Sequence, residues 1–207
     1  MELAAENLVI ERGGRVIVDG VSFAVSSGGA LLLTGANGAG KTTLLRAIAG
    51  YLPLSGGALH LGQGDPEKSI GEQAHTMGHA NAIKANLTVR ENVLFWAEFL
   101  GEPDSAKERA DAALSAFAMA DLAEFPASYL SAGQKRRLGL ARLLAAPRPI
   151  WLLDEPTVSL DAASTALLAK AVNDHTQGGG IAIAATHLPL GLERTRELKL
   201  VSGGASP

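Results

Sequence analysis

One glycine-rich loop constrains this chain more than any other feature. After the apolar run Ala30 to Leu33 comes Gly35-Ala36-Asn37-Gly38-Ala39-Gly40-Lys41-Thr42, followed by Thr43 and a helical stretch to Ala49. Every fixed position of the pattern GxxxxGK[ST] is filled, and the strand–loop–helix context that gives the pattern meaning is present. Glycines let the backbone close into a concave nest whose N–H groups point at phosphate oxygens, and the helix that follows adds the positive end of its dipole. The expectation is a triphosphate-binding loop made by Gly35, Ala36, Asn37, Gly38, Ala39, Gly40, Lys41, Thr42 and Thr43. Lys41 reaches the β- and γ-phosphates in it, and the Thr42 hydroxyl ligates Mg²⁺.

Such a loop needs a buried parallel strand before it, and the surrounding chain alternates to suit. Leu31 to Leu33, Ile150 to Leu153 and Ile181 to Ala185 are continuous apolar runs ending in Gly- or Asp-rich loops, with helical segments at Thr42 to Ala49 and Ala162 to Val172. Ahead of them lie short β-type runs at Leu8 to Ile10, Val16 to Val18 and Val21 to Val25, with Gly13-Gly14 and Gly28-Gly29 placed as turns, which predicts a small antiparallel sheet. Residues from about Thr88 to Ala146 read as three helices and no strand. The aromatics of Thr88 to Leu100 read as the core face of an amphipathic helix. The expected fold class is α/β: one domain over 1–207, with a P-loop core, an N-terminal antiparallel β-subdomain and an inserted α-helical subdomain at 88–146.

Composition narrows the function classes. Eighteen basic against 21 acidic residues give a net charge of −3, so the footprint of a duplex-DNA binder is missing and no nucleic-acid partner is expected. The absence of cysteine removes thiol catalysis and Cys-based metal sites. Glu2 and Glu6 stand where an export signal needs basic residues, and the uncharged window Gly20 to Gly40 is broken by glycines, Ser22, Ser26, Ser27, Thr34 and Asn37, so no membrane span is expected.

A second constellation follows Ile150. The run Ile150-Trp151-Leu152-Leu153 ends in Asp154-Glu155; Asp154 would hold Mg²⁺ through water, and Glu155 would polarise the attacking water as general base. Upstream, Leu130-Ser131-Ala132-Gly133-Gln134 opens a helix carrying Lys135, Arg136, Arg137 and Arg142. A serine and a glycine at a helix start make a second phosphate cradle, formed by Ser131, Gly133 and Gln134. A competing Leu54-Ser55-Gly56-Gly57 has no helix after it and reads as a hairpin turn.

Together these residues resemble the ABC ATPase family, whose signature reads LSGGQ, with Ala132 here in place of a glycine. The resemblance covers Leu8 to Val201. It implies that the second cradle completes the nucleotide site of another protomer, that Ser159-Leu160-Asp161 is the D-loop, with Asp161 near nucleotide, and that His187 is the switch histidine contacting the γ-phosphate. Two positions depart from the family. Arg12 stands where an aromatic usually stacks on adenine, a role that a planar guanidinium can fill. Met77-Gly78-His79 replaces the usual glutamine, with His79 able to meet water or metal.

More narrowly, Gly78-His79, the run Leu87 to Trp96 and the Leu-Ser-Ala-Gly-Gln variant resemble the ATP-binding subunits of bacterial haem exporters of cytochrome c maturation. That resemblance implies ATP and Mg²⁺ as cofactors, a homodimer of ATPase subunits, integral-membrane permease partners and a peripheral place on the cytoplasmic face of the inner membrane. The work driven would be haem export or release of haem from its chaperone. An exporter of another substrate, a soluble non-transport ABC ATPase, and a P-loop kinase or GTPase are the alternatives. The tract Asn81 to Trp96 is the expected permease contact.

Overall fold

The computed structural model describes residues 1–186 and 190–201 and the backbone of 204–205. In chain order, β1 (Glu2–Arg12) and β2 (Arg15–Ser26) form a hairpin, followed by β3 (Ala30–Thr34), α1 (Lys41–Ile48), β4 (Gly56–Gly62) and β5 (Ala74–Met77). Then come α2 (Val89–Leu100), α3 (Ala106–Ala116) and α4 (Ala132–Ala145), and after them β6 (Ile150–Asp154), α5 (Ala162–Gln177), β7 (Ile181–Ala185), β8 (Thr195–Val201) and β9 (Gly204–Ala205).

The strands build two sheets. An antiparallel one runs β2-β1-β4, and a larger one runs β5-β6-β7-β3-β8-β9, parallel except for the β8–β9 pair. Both faces of the large sheet are covered, which is why its central strands read as unbroken apolar runs. Side chains alternate between faces: Trp151 and Leu153 of β6 with Ala182 and Ala184 of β7 join one core with the helices, while Ile150, Leu152, Ile181 and Ile183 join the other with α1 and the antiparallel sheet.

Three details differ from the sequence reading. Val16 to Val18 and Val21 to Val25 belong to one strand, because Gly20, at φ 64°, is accommodated as a bulge where the register shifts between Leu8↔Val21 and Ile10↔Val18. Leu54 to Gly57 is not a hairpin turn: Gly56 and Gly57 already lie in β4, which pairs with the distant β1, so the segment joins α1 to the sheet edge. β8 went unread because its charged residues Arg196, Glu197 and Lys199 interrupt the apolar pattern.

Between β5 and β6 the described elements are helical, with one isolated bridge, Thr88↔Pro126. Thr88 and Ser131 begin α2 and α4 with reciprocal capping boxes to Glu91 and Gln134. The α2 aromatics are not core. Phe99 is 70% exposed and Phe95 stacks on it at 5.8 Å, with Trp96 edge-on to both; Val89, Val93 and Ala97 are the buried face.

Candidate nucleotide site

The glycines of the loop answer to geometry. Gly35, Gly38 and Gly40 have φ of 127°, 83° and 103°, a region that L side chains avoid. A Cβ at Gly35 would collide with the Leu200 carbonyl of β8, and one at Gly40 would lie 2.9 Å from Val18 of β2. The loop is thus pressed between both sheets. Gly40 caps α1 with no side-chain hydrogen bond, the kind of helix start whose N–H groups can serve an anion.

Lys41 is buried, and its Nζ donates to the carbonyls of Gly35 at 2.7 Å and Ala36 at 3.2 Å, which spans the loop with its own charge. The next residue reaches the other motif: Thr42 Oγ1 donates to Asp154 Oδ1 at 3.0 Å. Thr42, Asp154 and His79 line one cavity of about 550 Å³. These donors fit Mg²⁺: a buried carboxylate and a hydroxyl are hard oxygen ligands, and Mg²⁺ is ordinarily held by one or two such groups plus substrate phosphates. Among the described residues there is no cluster of three or more acidic, His or Cys side chains that would make an all-protein cage.

Glu155 follows at φ 46°, left-handed for a residue with a Cβ. Its N–H donates to the Ala185 carbonyl of β7 at 2.8 Å, which holds the turn at the end of β6. Backbone of this kind collects at functional sites.

The second cradle stands apart. Ser131, Gly133 and Gln134 are absent from the described wall of the Thr42–Asp154 cavity. Gly133 lies beside the Ser159 segment instead, where a Cβ on it would be 3.0 Å from the Ser159 carbonyl, and Ser159 has φ 67°. The Ser131 hydroxyl accepts from Gln134 N–H at 3.3 Å as the cap of α4. Asp161 caps α5, accepting from Ser164 N–H at 2.7 Å, and these hydrogen bonds hold its carboxyl below the usual range. Arg12 is exposed at the tip of the β1–β2 hairpin, opposite Arg15; the residues of that hairpin against the phosphate loop are Ile17 and Val18. His187 lies outside the described residues, which resume at Leu190 after Thr186.

A family model described as ABC transporter matches residues 18–158. The chain belongs to the ABC transporter family. As an ABC ATPase it binds and hydrolyses ATP, and its two-sheet fold is that of the family. Full-length relatives include cytochrome c biogenesis ATP-binding export protein CcmA of Nitrobacter winogradskyi, 50% identical with 100% of each chain covered. The protein of the same name from Chelativorans sp. is 50% identical over 98% of this chain and 100% of its own. A solved ATP-binding subunit of an ABC transporter superposes with TM-score 0.86 at 22% identity, covering 99% of this chain and 88% of that one.

Two arginines of this ABC ATPase were named on α4 in the sequence reading without a role. Arg136 and Arg142 are both turned inward: Arg136 is buried, and Arg142 Nη2 donates to the Thr76 carbonyl of β5. Their signal was spacing. Arg136, Gly139, Leu140 and Leu143 are buried positions on one helical stripe, so a charge at its head sits on the apolar face.

Proposed function

We propose that this ABC ATPase is the ATP-hydrolysing subunit of a haem exporter complex of c-type cytochrome biogenesis, driving haem export or the release of haem from its chaperone. Its full-length relatives at 50% identity are cytochrome c biogenesis export proteins. The observation that carries the catalytic half is the Thr42–Asp154 hydrogen bond, with the left-handed Glu155 next in sequence. In this reading Lys41 leaves the Gly35 and Ala36 carbonyls for the phosphates, and Thr42 and Asp154 hold Mg²⁺. The ion would neutralise charge on the β- and γ-phosphates. Glu155 takes a proton from the attacking water, and Ser131, Gly133 and Gln134 face the nucleotide of a second copy in a homodimer. Arg12 contacts the base, and His79 lies close enough to the Thr42–Asp154 cavity to meet water or metal.

Among the described residues no helix is long and apolar enough to cross a membrane. In this reading the work passes to permease subunits, with this chain peripheral on the cytoplasmic face of the inner membrane. The expected contact tract shifts. Ile83 packs partly against the core, and Asn92 holds the loop before α2 through Lys84 N–H at 2.7 Å, so those residues fix the fold. The surface that suits a partner is the groove of about 260 Å³ lined by Tyr51, Trp96, Leu100, Arg142 and Arg148, beside exposed Phe99. Glu72 also lines this groove and Arg142 already donates to the Thr76 carbonyl, so what it offers a partner is chiefly the aromatic and apolar surface of Tyr51, Trp96 and Leu100.

Glu155→Gln tests the assignment. The variant binds ATP, elutes as an ATP-dependent dimer in size-exclusion chromatography, and loses about 10²–10⁴-fold in turnover. Cells carrying only this variant make c-type cytochromes without haem. Normal turnover would remove Glu155 as base, and normal haem staining would remove the export role.

A further inference from the structure

We infer that Arg136 is a positioning residue for hydrolysis, a buried cation that sets the backbone of Glu155 and the His79 loop as one unit. This rests on the reading of Glu155 as the base.

The Arg136 side chain leaves α4 and is 3% exposed. Its Nη2 donates to the Glu155 carbonyl at 2.8 Å and its Nε to the Pro156 carbonyl at 3.1 Å. Its Nη1 donates to the Gly78 carbonyl at 2.7 Å and to Asn81 Oδ1 at 3.1 Å. One planar fork therefore spans three elements: the signature helix, the turn after β6, and the loop after β5 that carries His79 between two of the acceptors.

All four partners are neutral oxygens, and no carboxylate forms an ion pair with Arg136 among the described residues. Burial pulls its pKa below the ordinary arginine value, with Arg142 adding to the effect and Asp154 opposing it. Burying a cation carries a desolvation cost that its hydrogen bonds must offset, so fold stability alone is a weak reason for a guanidinium here. What the guanidinium supplies is direction. Its fork geometry fixes the planes of the carbonyls it meets, and the Glu155 carbonyl belongs to the residue held at φ 46°. The neighbouring Arg137 makes the contrast, since its hydrogen bonds go to the Phe117 and Ala118 carbonyls within the helical insert.

Because α4 also begins with Ser131, any movement of that helix pulls on the Glu155 turn and the His79 loop together. Arg136 is the mechanical link between the second phosphate cradle and the hydrolytic carboxylate.

The test is steady-state ATPase kinetics of the full chain for Arg136→Met and Arg136→Lys, each alone and combined with Glu155→Gln. A misplaced reacting group costs about ten- to a hundredfold, so Arg136→Met lowers kcat by that factor with KM for ATP within about twofold of wild type. Arg136→Lys, which keeps the charge without the fork, falls between. In the Glu155→Gln background Arg136→Met removes nothing further, because residues acting as a unit are not additive. Three outcomes overturn the assignment: wild-type kcat in folded Arg136→Met, loss of ATP binding in step with kcat, or a full multiplicative loss on top of Glu155→Gln. If Arg136→Met fails to fold, Arg136→Lys decides alone, and wild-type kcat in it overturns the role of the fork. If Glu155→Gln itself turns over normally, the reading of Glu155 falls and takes this role with it; an inactive Glu155→Gln beside a fully active Arg136→Met removes the role of Arg136 alone.

Discussion

Thr42 and Asp154 are hydrogen-bonded to each other at 3.0 Å across 112 positions of sequence. The phosphate loop and the carboxylate strand thus meet through the two side chains proposed to hold Mg²⁺, and the strand order of the large sheet brings them together.

Thr42→Ala should separate metal binding from nucleotide binding. A contact to a charged group is worth about 1.5–3 kcal/mol, so the Mg²⁺ concentration for half-maximal ATPase rises by about ten- to a hundredfold. ATP affinity measured with excess chelator stays unchanged. An unchanged Mg²⁺ requirement would remove Thr42 as a ligand.

Ser131→Asp distinguishes the cap from the cradle. Asp caps a helix about as well as Ser, so urea denaturation gives the wild-type midpoint. The added carboxylate repels a partner's nucleotide, and a Glu155→Gln background that dimerises with ATP no longer does so. Persistence of that dimer would dissociate Ser131 from the second site.

Gly57→Ala tests the competing Leu54-to-Gly57 segment. With φ at 79° and a Cβ that would collide with the Glu6 and Asn7 carbonyls, the change costs roughly 1–3 kcal/mol in chemical denaturation. ATP affinity of the folded fraction does not move. An affinity loss without a stability loss would make this segment a phosphate site after all.

Phe99→Glu probes the partner face. Phe99 is exposed and lies outside the nucleotide cavity, so ATPase activity of the isolated chain persists. Membrane fractionation with permease co-expressed shows release of the variant into the soluble fraction, and unaltered retention would exclude the aromatic row from docking.

His75 predicts a pH dependence. Burial is the main reason that its pKa is lowered to about 4, against the opposing hydrogen bond from Nε2 to the Ala146 carbonyl at 2.7 Å, with Arg142 lowering it further. Below the unfolded value of about 6.5 the unfolded chain takes the proton first. Stability therefore falls as pH drops from about 6.5 toward 4, by at most about 3 kcal/mol from this group. His75→Gln flattens the profile in that window, and a profile unchanged by the substitution would show that His75 is not the group titrating.

What could be read from sequence was what is contiguous. Gly35 to Thr42 and Ile150 to Glu155 each carry their chemistry in one short run, and the alternation of covered strands gave the fold class. Arg136 was hidden because Lys135 and Arg137 flank it, so its place at the head of the stripe Gly139, Leu140 and Leu143 was masked by the charge run. Gly20 misled for the opposite reason, since a glycine between two valine runs looks the same as a turn or as a bulge in one strand. The aromatics of α2 share the helical spacing of a core face, and that spacing alone does not separate them from the buried Val89, Val93 and Ala97.

The two tryptophans have been given opposite surroundings. Trp151 is buried and stacked on His175 at 4.1 Å, while Trp96 stands in the half-exposed aromatic row with the Arg142 guanidinium 5.4 Å from its ring. A permease segment docked there as proposed would change the environment of Trp96 and leave Trp151 as it was. If the proposed permease contact is right, the chain would carry its own optical reporter of docking, in which the emission of one indole follows the partner while the other serves as an internal standard.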